Sequence, residues 1–89
     1  MRLMWTDPAW EDYLSWQDEP KMQERIQALI ASALEDPGFG LGDPVSHQFA
    51  LIRAWSRHID GPHRLVYTVE EDDEADTASL IVLQARYYD

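Results

Sequence analysis

"AWSRHIDGPHRLVY", residues 54–67, decides how the chain is read. Two apolar-rich runs flank Asp60-Gly61, a dipeptide that favours tight hairpin turns, so the stretch predicts antiparallel strands over 54–59 and 63–69. In the second strand Leu65, Tyr67 and Val69 share one face, while Arg64, Val66 and Thr68 share the other. The same segment concentrates the cations. Residues 45–69 carry Arg53, Arg57 and Arg64 against Asp60 alone, a formal +2. Residues 1–44 (three basic, nine acidic) and 70–89 (one basic, seven acidic) each carry −6, which with the +2 gives the chain's −10. An overall charge of that sign opposes long-range attraction of a polyanion, but screening over about 8–10 Å lets a short basic patch act on its own.

Working outward from the hairpin, "MRLMW" predicts a strand over 2–5. Thr6 as N-cap, Asp7 in the first turn and Pro8 inside it then open a helix that should stop near Asp18. A second helix begins at the "DEP" of 18–20. Its stripe of Met22, Ile26, Leu29, Ile30 and Ala33 has helical spacing, and Asp36, Pro37 and Gly38 end it. The glycines and prolines of "PGFGLGDPVSHQ", 37–48, predict an exposed loop. "FALI", 49–52, reads as another strand, "EEDDEAD", 70–76, as a solvated hairpin tip, and "ASLIVLQARYY", 78–88, as a long final strand. The expected fold is α+β: an N-terminal strand and two helices packed on an antiparallel sheet of four to five strands. Helices cover one face, and the cations should converge on the other beside the chain's last residues.

At 89 residues the chain supports one domain, spanning 1–89, of modest stability, so an oligomer or a bound partner is expected to help hold it. The absence of cysteine removes disulfides, thiolate metal sites and thiol nucleophiles. His47 and His63, with Asp43 and Asp60 near them, match no metal-ligand spacing, so neither metal nor cofactor is expected. No apolar run approaches the roughly 20 residues of a membrane span, and a cytoplasmic protein with no membrane partner is expected.

Several separated motifs occur together in order: "MRLMW"; Trp10, Asp12, Tyr13, Leu14 and Trp16 in a W-x-D-Y-L-x-W pattern; "WSR" at 55–57; "HRLVY" at 63–67; and "RY" at 86–87. In this the chain resembles the YoeB/Txe toxins of bacterial toxin–antitoxin modules, within the RelE superfamily. The resemblance implies a RelE-like fold, a cognate antitoxin, and metal-free cleavage of mRNA on the ribosome by attack of a 2′-hydroxyl on the adjacent phosphorus. Such a reaction needs a base, an acid and a cation for the phosphorane.

The resemblance implies a phosphate-stabilising role for Arg64 and an RNA-binding role for Arg57, to which Arg53 and Tyr87 are added. Val45 occupies the position of the family's glutamate, and Tyr88 that of its histidine. Two readings follow. In one, RNA is cut by a rewired set, with Tyr88 exchanging a proton and His58 or His47 serving as base. In the other, the fold is kept as a binding module that associates with an antitoxin without cleavage. The aromatic row Trp5, Trp10, Tyr13 and Trp16 reads as packing, part of which could line an antitoxin or homodimer surface.

Overall fold

Thr6 starts the first helix as its chemistry suggests, its Oγ1 accepting the Ala9 N–H at 3.2 Å, with Pro8 in the first turn. The computed structural model, which describes residues 1–49, 52–72 and 74–87, places this helix, α1 (Asp7–Leu14), after strand β1 (Arg2–Trp5). Turns at 15–18 follow it, then α2 (Pro20–Glu35). The strands come next: β2 (Val45–Phe49), β3 (Ile52–Asp60), β4 (His63–Asp72) and β5 (Thr77–Gln84).

They form one sheet in the order β1-β5-β4-β3-β2. The pairs β2–β3, β3–β4 and β4–β5 are antiparallel, as expected, but β1 lies parallel to β5. The sheet is therefore mixed. The physical reason is the connection: parallel neighbours need a long crossover, and two helices and three strands separate β1 from β5.

Local expectations shift where pairing overrides composition. β2 occupies 45–49, inside the segment whose glycines and prolines suggested a loop, because Val45 through Phe49 pair with Ser56 through Ile52. "FALI" is not one strand: Phe49 closes β2 and Ile52 opens β3, paired to each other, and residues 50–51 lie outside the described residues. The acidic run is strand as far as Asp72, since Glu70, Glu71 and Asp72 pair with Ser79, Ala78 and Thr77. β5 stops at Gln84, short of the expected end.

Both helices cover one face. Ala9, Ile26, Leu29, Ile30 and Ala33 bury against Ile59, Leu65, Tyr67, Leu80 and Val82. Burial of this apolar set supplies the main driving force. A guanidinium sits inside it. Arg57 is fully buried, and all five of its N–H donors are used. Nε donates to Tyr67 Oη (2.8 Å), Nη1 to Ser32 Oγ (2.7 Å) and the Leu41 carbonyl (2.9 Å), and Nη2 to the carbonyls of Asp36 (2.6 Å) and Phe39 (3.1 Å).

The segment from Asp36 to Gly42 is thus wrapped around a guanidinium. Gly40 (φ 121°) is required here, since a Cβ would fall 2.4 Å from Ser32 Oγ. Tyr67 passes its own proton to the Pro37 carbonyl; burial pushes this phenol above its ordinary value near 10, with the Arg57 hydrogen bond and charge pulling the other way.

Replacing Arg57 with Met should leave buried carbonyls unpaired and cost about 3 kcal/mol, a fall in Tm of roughly 12–24 °C for a domain of this size. Thermal unfolding followed by circular dichroism checks it. A loss below about 1 kcal/mol would show that the loop does not depend on this side chain.

Candidate nucleic-acid interface

The strand face away from the helices carries alternate residues of each strand. Across β2, β3 and β4 these are Val45 and His47; Ala54, Ser56 and His58; and Arg64, Val66 and Thr68. The hairpin register brings Val45 opposite Ser56, Ser56 opposite Val66 and His58 opposite Arg64. A pocket of about 220 Å³ opens on this face, lined by His47, Ser56, Arg64, Val66 and Gln84, with Pro62 and Tyr87.

Arg64 is held there by one residue. Its Nε donates to Ser56 Oγ at 2.9 Å and its Nη2 to the Ser56 carbonyl at 3.2 Å. Those are its hydrogen bonds among the described residues, so further N–H donors remain for an anion. His47 Nε2 meets the same hydroxyl at 2.8 Å. A serine hydroxyl that accepts from Arg64 can still donate to a neutral imidazole or accept from a protonated one. The row His47–Ser56–Arg64 thus keeps its hydrogen bonds in either protonation state of the histidine. A cation, a proton-exchanging ring and the Tyr87 ring in one pocket suit a phosphodiester and its neighbouring base.

The three arginines do not converge. Arg57 was expected to touch RNA, yet it shares the face of Trp55 and Ile59, and its guanidinium is consumed inside the core. Strand alternation is the reason: Arg57 and Arg64 sit on different strands, and their side chains leave the sheet on opposite sides. Arg53 is exposed and lines a different groove with Ile52, Thr68, Glu70 and Ile81. His58 is exposed beside the turn, its Nε2 on the Gly61 carbonyl at 3.1 Å, and does not line the Arg64 pocket. Tyr87 does line it. Tyr88 lies outside the described residues.

Ser56 and Gln84 escaped the sequence reading. Period-two alternation back from Arg64 through the hairpin register would have found Ser56; Gln84 has no comparable signal. Among the described residues no His, Asp and Glu cluster could hold a metal ion, and no helix is long and apolar enough to cross a membrane.

A family model described as "YoeB-like toxin of bacterial type II toxin-antitoxin system" matches residues 5–88. The chain belongs to the YoeB toxin family. A "Toxin YoeB" of Streptomyces coelicolor is 40% identical over 89 residues, covering 99% of each chain. Among solved structures, a YoeB/ParE toxin from Agrobacterium tumefaciens superposes with a TM-score of 0.87 at 37% identity, covering 100% of both chains. Structures of Staphylococcus aureus YoeB, one a dimer (TM-score 0.82) and one a heterotetrameric YoeB–YefM toxin–antitoxin complex (TM-score 0.81), share 28% identity and cover 100% of this chain and 98% of theirs. The five-stranded sheet with two helices is therefore a YoeB fold.

Arg64→Ala should weaken binding of a short RNA about tenfold and lower the slope of log affinity against log salt by about 1, the signature of one lost phosphate contact. Fluorescence anisotropy across a salt series measures both. Unchanged affinity and slope would remove Arg64 from the interface.

Proposed function

We propose that this chain is the toxin of a type II toxin–antitoxin module and cuts mRNA on the ribosome without a metal. The observation that carries the reading is the seating of Arg64 on Ser56, beside His47 and Tyr87, on the face left open by the helices. One backbone phosphate occupies the pocket against Arg64. The ribose 2′-hydroxyl gives its proton to the His47 imidazole, and its oxygen forms a bond to phosphorus. Arg64 offsets the charge of the phosphorane, in a setting where fixed donors act more strongly than in water.

The P–O5′ bond then breaks, and the 5′ oxygen leaves with a proton for which Tyr88, next along the chain from Tyr87, is the proposed donor. The products are a 2′,3′-cyclic phosphate and a 5′-hydroxyl. His47 takes the base role in place of His58 because it lines the pocket and shares Ser56 with Arg64. Tyr87 stacks on a base, and Arg53 contacts the RNA backbone beyond the pocket. Acting on ribosomes places the protein in the cytoplasm. The partners are an antitoxin and, when none is bound, a second copy, as the relatives' toxin–antitoxin complex and dimer suggest.

One observation favours a second reading, binding without cleavage. Among the described residues no carboxylate lines the pocket, and Val45, opposite Ser56, presents an exposed apolar side chain.

Incubation with ribosomes and a defined mRNA separates the two. Discrete cuts bearing cyclic-phosphate ends are expected, with rates lowered about 100-fold or more in His47→Gln and in Arg64→Ala. An intact message at high protein excess, together with tight antitoxin binding, would establish the second reading instead.

A further inference from the structure

The sequence motif W-x-D-Y-L-x-W lies far from Arg64 in the chain, yet its polar atoms reach the pocket through the residues that follow β5. Past Gln84 the strand ends, so Ala85 loses its ladder partners while remaining fully buried. A buried N–H and C=O must find others. Asp12 Oδ2 accepts the Ala85 N–H at 3.0 Å, and Trp16 Nε1 donates to the Ala85 carbonyl at 3.0 Å. Both side chains are themselves buried, Asp12 6% and Trp16 4% exposed.

The next two residues are pinned as well. Arg86 lays its guanidinium over the Trp16 ring, 4.2 Å from the centroid, and donates from Nη1 to Ser15 Oγ at 2.8 Å. The Tyr87 N–H donates to His63 Nδ1 at 3.1 Å, which places the proton of a neutral His63 on Nε2. The His63 ring stands edge-on to Trp16 with centroids 4.7 Å apart. Three consecutive tail residues are thus fixed by α1, by the turn that leaves it, or by a ring packed on that turn. The last of the three, Tyr87, walls the Arg64 pocket.

We infer that Asp12 and Trp16 are positioning residues that clamp Ala85 so that the tail holds Tyr87 against the Arg64 pocket. The inference rests on the RNA-cleaving function proposed above for that pocket, but the clamp has its own readout. No group transfer is involved. The two residues touch neither substrate nor reacting atoms; they act through the backbone of Ala85. Docking of the tail completes the pocket wall, and its release leaves Arg64 and His47 in place without the Tyr87 side of the pocket. The W-x-D-Y-L-x-W spacing then has a physical meaning: Asp12 and Trp16, four residues apart, meet the two backbone polar groups of one tail residue, Asp12 as acceptor of its N–H and Trp16 as donor to its C=O.

The test uses the full chain. In Trp16→Phe, which keeps an aromatic ring but loses the indole N–H together with part of the ring surface, and in Asp12→Ala, exchange of the Ala85 and Tyr87 amides measured by NMR should speed up about tenfold or more, with the Leu65 and Leu80 amides unaltered. Asp12→Asn retains a side-chain carbonyl and should keep the tail protected. Cleavage by the two loosened variants should show kcat reduced about tenfold with KM within about twofold, and Asp12→Asn should restore it. Should Trp16→Phe fail to fold, Ser15→Ala, which removes the hydroxyl partner of Arg86, carries the same expectation at about threefold.

Unchanged tail exchange in the loosened variants overturns the clamp. Faster tail exchange with wild-type kcat overturns the positioning role. A wild-type chain that cuts no RNA defeats the proposed function alone. The clamp is then decided by the exchange rates, and the positioning role by whether the Tyr87 ring resonances move in the loosened variants, unmoved ring signals overturning it.

Discussion

The buried guanidinium of Arg57 is the constraint from which the rest of the structure follows. A cation without water must have every donor answered, because each unpaired charged group in an apolar interior costs several kcal/mol. Here the answers come from Tyr67 and Ser32, from sheet and helix, and from three carbonyls of the 36–41 segment. Carbonyl dipoles rather than a carboxylate make up most of the shell. That choice fixes a backbone path, since three carbonyls of one loop, those of Asp36, Phe39 and Leu41, must aim their oxygens inward. The path leads straight into β2, and β2 carries His47 to the open face. An arginine sealed in the core therefore decides where a pocket residue stands.

The arginines of "WSR" and "HRLVY" have two separate roles. On the helix side Arg57 is architecture; on the other side Arg64 stands on Ser56 with donors left for an anion. Both arginines bond to the strand region of 56–67, yet the pleat sends them to opposite environments. The result is a pocket with one guanidinium, a shared serine hydroxyl and an imidazole instead of a cluster of cations. In a chain of net charge −10 such a pocket can draw an anion only at contact range, with little long-range pull on a polyanion.

The parts legible in the sequence are those with local causes. Thr6 and Pro8 announced α1, the Ile26, Leu29, Ile30 and Ala33 stripe announced the buried side of α2, and Asp60-Gly61 announced the β3–β4 turn. The parallel seating of β1 was not legible, because it depends on a crossover spanning most of the chain. β2 was hidden by its glycine- and proline-rich approach, which composition reads as loop and which Arg57 in fact organises. The burial of Arg57 did leave a trace, its period-two alignment with Trp55 and Ile59, but an arginine draws the eye toward ligands. The contact of Asp12 and Trp16 with Ala85 left none, that residue lying some seventy positions away. The expectation that the cations converge failed because the pleat sends Arg57 and Arg64 to opposite faces, and only Arg64 of the three lines the pocket.

The division of labour between the two arginines can be read directly from their side-chain Nε–H resonances in ¹⁵N NMR during titration with an RNA whose cleavable 2′-hydroxyl is replaced by hydrogen. The account predicts that the Arg64 signal shifts on binding while the Arg57 signal stays slow to exchange and unmoved. A shifted, rapidly exchanging Arg57 beside an indifferent Arg64 would contradict it.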